Sequence, residues 1–174
     1  MESRKLLTPA VRVRQAGLAW LDFSISAAVL TLFAGSLLTA LLYYEEMAEA
    51  TVVQLTVQNI RSGLRYQVAD RLVQGRTGEN VQLLQTNPFS WLDGRPEGYV
   101  GPVRTGSVES LPAGSWFYDV DMGEVGYVPK LSYYLDAEDG RSKILRWQVR
   151  PLRAPSPHEV EGLMVVAVRP YRWF

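Results

Sequence analysis

The sequence has no cysteine and a single histidine, His158. The first absence excludes disulfides and thiol chemistry, although it does not identify a compartment, because exported proteins can lack cysteine too. The lone histidine sits in a Pro-Ser-Pro-His stretch with no nucleophile pattern around it, so no Ser-His-Asp set can be built on it, and it reads as an exposed loop residue. An excess of one charge is also missing: 18 basic and 18 acidic residues cancel. That balance argues against a nucleic-acid binder, and the basic residues Arg141, Lys143, Arg146, Arg150, Arg153, Arg169 and Arg172 are spread over several segments rather than gathered. No phosphate-cradling glycine loop, His or Cys metal cluster, internal repeat or low-complexity tract is present. The expectation is a protein that is not an enzyme and carries no cofactor.

What the chain does have is one long apolar run. Asp22 is the only charge between Gly17 and Tyr44, and 22 uncharged residues follow it, Phe23 to Tyr44. At about 1.5 Å of rise per residue such a helix covers roughly 30 Å, the thickness of a bilayer's hydrocarbon core. A carboxylate at the entrance of such a helix is costly, and such residues usually have a partner and a purpose. Before the run lie Arg4, Lys5, Arg12 and Arg14 against one Glu2; after it come Glu45, Glu46 and Glu49. Basic flanks stay cytoplasmic. The expected topology is a single pass through a bacterial inner membrane, N-terminus inside, with the rest of the chain in the periplasm.

Past Tyr44 the helical pattern continues. Val53, Val57, Ile60, Leu64, Val68 and Leu72 recur at spacings of three and four, one face of an amphipathic helix. Gly63 is the weak point at which a separate second helix could begin, and Gly75-Arg76-Thr77-Gly78 ends the pattern. Val81 to Gln85 adds one more helical turn. Asn87 to Pro102 is rich in Pro and Gly and punctuated by Phe89, Trp91 and Tyr99, a loop pinned by aromatics. The remainder reads as antiparallel sheet. Ser115–Val120 and Glu124–Val128 form a hairpin about Asp121-Met122-Gly123. Leu131–Leu135 is a third strand and Lys143–Val149 an alternating, half-buried one. Leu163–Val168, the most apolar, is expected at the centre of the sheet and against the Val53–Leu72 stripe. The aromatic tail Tyr171–Phe174 is expected to pack on the domain.

The fold class is therefore α+β: a long N-terminal helix, membrane-spanning in its first half and amphipathic in its second, packed on a small antiparallel sheet. The expected division is a basic leader over 1–17, a transmembrane half over 18–44, an amphipathic half over 45–75, and a loop-and-sheet domain over 76–174. Two acidic clusters, Asp119/Asp121/Glu124 and Asp136/Glu138/Asp139, leave calcium open as an alternative to plain hairpin turns. Calcium requires several oxygens converging at about 2.3 to 2.6 Å, and Leu135 occupies the place of a first EF-hand ligand.

A secretory signal peptide places small residues after its apolar region. Here the small pair Ala16-Gly17 comes before it. A basic leader, Gly17, the hydrophobic Leu18, and an acid, Asp22, at the fifth position after the glycine resemble the prepilin motif of the type IV pilin and type II secretion pseudopilin family. The run reads LAWLD where the family's is close to FTLIE, and its acid is Asp rather than Glu. Trp116, Asp119, Gly123 and Tyr127 are also similar to a hairpin pattern of MSHA-type pilin-like proteins. The resemblance implies cleavage after Gly17 by a prepilin peptidase, N-methylation at Leu18, and docking of Asp22 onto a neighbouring subunit's amine. Its implied partners are the peptidase, other pilin or pseudopilin subunits, the inner-membrane assembly platform and membrane lipid. It implies a structural filament subunit of a pilus or a secretion pseudopilus. The residues alone leave a second reading open: a non-polymerising single-span membrane protein whose periplasmic domain binds a partner.

Overall fold

The structure, a computed structural model, describes residues 9–137, 143–152 and 162–174, with side chains from Trp20 onward. Helix α1 spans Pro9–Val73. It begins earlier than the expected Leu18. Proline is tolerated in a first helical turn, and the residues after it carry no helix breaker before Gly17. The chain divides into two compact units, residues 1–45 and 46–174.

In the first unit every described residue from Trp20 to Glu45 is exposed. This part of α1 is apolar all round, and by length and composition it is long and apolar enough to cross a membrane.

The second unit is a helix-on-sheet layer. Strands β1 (Tyr99–Val103), β2 (Trp116–Asp119), β3 (Glu124–Tyr127), β4 (Leu135–Ala137), β5 (Leu145–Pro151), β6 (Leu163–Ala167) and β7 (Tyr171–Trp173) follow the helix. Five of them form one sheet in the order β1-β2-β3-β5-β6, and β4 and β7 pair separately. Val53, Val57, Ile60 and Leu64 of α1 are buried in one core with Trp116, Tyr118, Val125, Tyr127, Leu145, Trp147, Val149, Leu163 and Val165. Trp116 anchors it, with ring centroids 4.7 Å from Tyr127 and 5.7 Å from Trp147. The stripe fades at its end: Leu72 is 64% exposed. α1 stops where expected, because Gly75 takes a positive φ of 69° and the amides of Gly75 and Arg76 return to the carbonyls of Leu72 and Arg71. This is a Schellman closure, which needs a left-handed residue at that position.

α1 passes through Gly63 without interruption. The glycine serves packing: a Cβ there would lie 2.9 Å from Trp91 Cβ and 3.0 Å from Trp91 O. Gly126 plays a similar part in the sheet. It pairs across from Phe117, and an added Cβ would collide with that ring. Phe117 is thereby fully buried on the sheet face opposite α1.

Three strand expectations are corrected. Tyr99–Val103, read as loop, is β1 and pairs parallel to β2; its Gly101 and Pro102 are tolerated because it is an edge strand. The first residues of the expected strand Leu131–Leu135 are irregular, and the strand itself is Leu135–Ala137, paired with the C-terminal Tyr171–Trp173. β6 lies at an edge of the sheet, not at its centre. Its apolar character comes from Leu163 and Val165, which face the core. The tail does pack on the domain, with Trp173 buried.

Candidate functional site

Gly17 and Leu18 lie on the backbone of α1. Leu18 precedes Asp22 by four residues, about one turn of helical backbone. Asp22 is exposed, between Leu21 at 60% and Phe23 at 68% exposure, and it has no hydrogen-bond or ion-pair partner among the described residues. Four hydroxyls of the apolar run are satisfied internally. Ser24 donates to Trp20 O, Thr31 to Ala27 O, Ser36 to Leu32 O and Thr39 to Gly35 O, each at 2.8 to 2.9 Å. Such back-bonding removes the need for water, as a hydrocarbon surrounding requires. Asp22 is the one charged side chain between Gly17 and Tyr44, and it bonds to nothing among the described residues.

The acids after the run behave differently. Glu46 is 2% exposed. Its Oε2 accepts from Tyr133 N (3.1 Å), and its Oε1 accepts from Tyr134 N (2.8 Å) and from the Trp173 indole N–H (3.0 Å). One helical turn later, Glu49 Oε1 accepts from the Tyr127 hydroxyl (2.8 Å) and Lys130 N (2.6 Å), and Oε2 from Leu131 N (3.0 Å). Two side chains of α1 therefore take the place of a neighbouring strand for Lys130–Tyr134, which is why that segment needs no ladder. Bonds to a carboxylate are about twice as strong as neutral ones, which offsets the cost of burying Glu46. Tyr127 feels the cluster too: burial, then its bond to Glu49 and that residue's charge, raises its hydroxyl pKa above the ordinary 10.0. In the sequence these acids mark the topology of the apolar run. The signal was there, because Glu46 and Glu49 extend the Val53–Val57–Ile60 stripe backwards at the same spacing.

The first candidate calcium cluster is occupied by protein groups. Asp119, fully buried, accepts from Thr105 Oγ1 at 2.8 and 2.9 Å, from the amides of Asp121 and Met122, and from Arg146 at 3.0 Å. Arg146 also reaches Glu124 at 2.9 Å and lies over the Phe117 ring, 5.5 Å from its centroid. Burial alone would raise the Asp119 carboxyl; the bonds from Arg146, Thr105 and Met122 and the Arg146 charge outweigh it and hold it below the ordinary 3.8. Among the described residues no three His, Cys, Asp or Glu side chains converge as a metal site would require. Glu138 and Asp139 of the second cluster, with His158, Arg141 and Arg153, lie outside the described residues. Of the other basic residues, Arg172 pairs with Asp136 at 3.5 Å and Arg150 bonds Gln148.

A groove of about 750 Å³ runs beside Gly63, lined by Asn59, Ser62, Tyr66, Trp91 and Asp93 among others. Compared with protein-family models, curated proteins and solved structures, the chain matches none.

Proposed function

We propose that the chain is a structural, pilin-like subunit, cleaved after Gly17 by a prepilin peptidase, methylated at Leu18, and assembled into a type IV pilus or a type II secretion pseudopilus. The observation that carries this reading is Asp22. It is exposed on an apolar, membrane-length helix as the only charge between Gly17 and Tyr44, five residues past the glycine that follows a basic leader. Cleavage creates an amine at Leu18, and an unpartnered carboxylate at similar depth is the natural group to receive a neighbour's amine, since opposite charges attract strongly in low dielectric and each alone is costly. Small residues along the same run, Ser26, Ala27, Ala28, Ala34, Gly35 and Ser36, suit close helix packing. The α+β arrangement of the second unit gives the helix a folded head. Before assembly the chain is held in the inner membrane by this helix, N-terminus cytoplasmic and sheet domain periplasmic, as the basic leader and the acids after Tyr44 favour. Its work is assembly rather than catalysis.

The test is cross-linking of membranes from a host that has the assembly machinery. The wild-type chain is expected in high-mass products, and Asp22→Ala is expected to remain inserted but drop out of them. A wild-type chain that stays monomeric would overturn the assembly reading in favour of a non-polymerising single-span protein.

A further inference from the structure

The part of α1 that packs on the sheet has a second face. Val52, Leu55, Tyr66 and Val73 are apolar and between 53% and 87% exposed. With Asn59, Ser62 and Ala69, which are also exposed, they recur at spacings of 3, 4, 3, 4, 3 and 4. That is the strict heptad seam of a coiled coil. Val52, Asn59, Tyr66 and Val73 take its a positions, and Leu55, Ser62 and Ala69 its d positions. The buried stripe Val53, Val57, Ile60 and Leu64 falls at b and f, on the far side of the helix. The seam is about 32 Å long, and its helix is already folded against the sheet, so docking incurs no nucleation cost.

We propose that this seam pairs with the same seam of a second copy, residues 52–73 of the two chains lying parallel and in register as an isologous contact. The residue types fit that occupant. A β-branched residue at a with Leu at d, as in Val52 and Leu55, favours two parallel strands, and a single Asn at an a position, Asn59, fixes the register. The flanking charges fit it too. Arg65 lies at g and Asp70 at the following e, the two positions that meet across a parallel two-stranded seam. Neither has an ion-pair partner among the described residues: Arg65 donates to Ser62 Oγ (3.3 Å), and Asp70 accepts from Gln74 (2.8 Å). About a two-fold axis Arg65 of each copy meets Asp70 of the other, making two ion pairs. The groove beside Gly63, whose wall includes Asn59, Ser62 and Tyr66, leaves room along the seam for the second helix. This contact belongs to the second unit alone and does not depend on cleavage after Gly17 or on Asp22.

The cysteine-free sequence makes the test direct. Gln54→Cys, Leu55→Cys and Ala69→Cys are introduced singly into the full chain, which is purified in detergent micelles and oxidised with copper phenanthroline. All three positions are exposed, but 55 and 69 lie at d on the seam and 54 lies at c, off it. The expected result is disulfide-linked dimer at 55 and 69 severalfold above that at 54. In the Leu55→Cys chain, Arg65→Asp is expected to lower the dimer severalfold, and Arg65→Asp combined with Asp70→Arg to restore it. Equal linkage at 54, 55 and 69, or none at 55 and 69, would overturn the seam. Linkage at 55 and 69 that ignores both charge changes would overturn the in-register pairing. The micelles hold no assembly machinery, so either failure leaves the filament reading standing.

Discussion

The two parts of α1 share a backbone and differ in how their apolar residues are arranged. From Trp20 to Glu45 they go all the way round and every residue is exposed; between Glu46 and Val73 one stripe, Val53, Val57, Ile60 and Leu64, is buried against a sheet, while others such as Val52 and Leu55 stay exposed. Helical propensity does not distinguish them, so the pattern alone decides the solvent each part suits. The acids follow the same division. Asp22 is exposed without a partner among the described residues, whereas Glu46 and Glu49 accept six hydrogen bonds between them. A carboxylate on the stripe builds the domain, and the carboxylate on the all-apolar part bonds to nothing among the described residues.

The largest effect that would break this contrast belongs to Glu46. Glu46→Ala strands two main-chain amides and the Trp173 indole N–H in a buried place, and should cost the second unit about 3 kcal/mol or more, read by denaturant unfolding of the detergent-solubilised chain. Glu46→Gln keeps one acceptor oxygen and should cost less. Unchanged unfolding in Glu46→Ala would mean the carboxylate is no staple.

Next come the close approaches. Gly126→Ala drives a methyl into the Phe117 ring and Gly63→Ala presses on Trp91. Overpacking of this kind costs about 1 to 3 kcal/mol. A neutral or stabilising Gly63→Ala would restore the view of that glycine as a hinge.

The pH response is smaller and two-sided. Asp119 has a folded pKa below 3.8, so its contribution is present above that value and is lost as pH falls through the lower folded one. Tyr127 has a folded pKa above 10.0, so its contribution is complete below that value and is lost as pH rises past it. Thermal melts across pH should therefore fall at both ends, with Asp119→Asn flattening the acid limb and Tyr127→Phe the alkaline one. A limb that keeps its slope in the matching variant would assign it to other groups.

The smallest stability effect sharpens the contrast most. Asp22→Ala should leave unfolding of the second unit within about 0.5 kcal/mol of wild type. A large loss would mean that Asp22 is structural, as Glu46 is.

Much of this fold was legible because its signals are periodic and local. The spacing from Val53 to Leu64 gave the buried face of α1, Gly75 gave its end, and Asp121–Gly123 marked the turn between β2 and β3. What was not legible depends on distant partners. β1 was hidden by its glycine and proline, which only an edge position allows. The pairing of β4 with β7 joins residues 135–137 to 171–173, and no local pattern announces it. β6 looked central because it is apolar, yet apolarity reports the face it buries and not the neighbours beside it. At the candidate site, Gly17, Leu18 and Asp22 were found by spacing. Glu46 and Glu49 are hard to find because charge beside an apolar run signals topology, although their positions on the stripe place them inward.

The most direct test of the central claim is the intact mass of the membrane-extracted chain from cells with and without a prepilin peptidase. The account predicts a chain that begins at Leu18, with or without one methyl group, when the peptidase is present, and one that begins at Met1 when it is absent. A chain beginning at Met1 in peptidase-positive cells would contradict it.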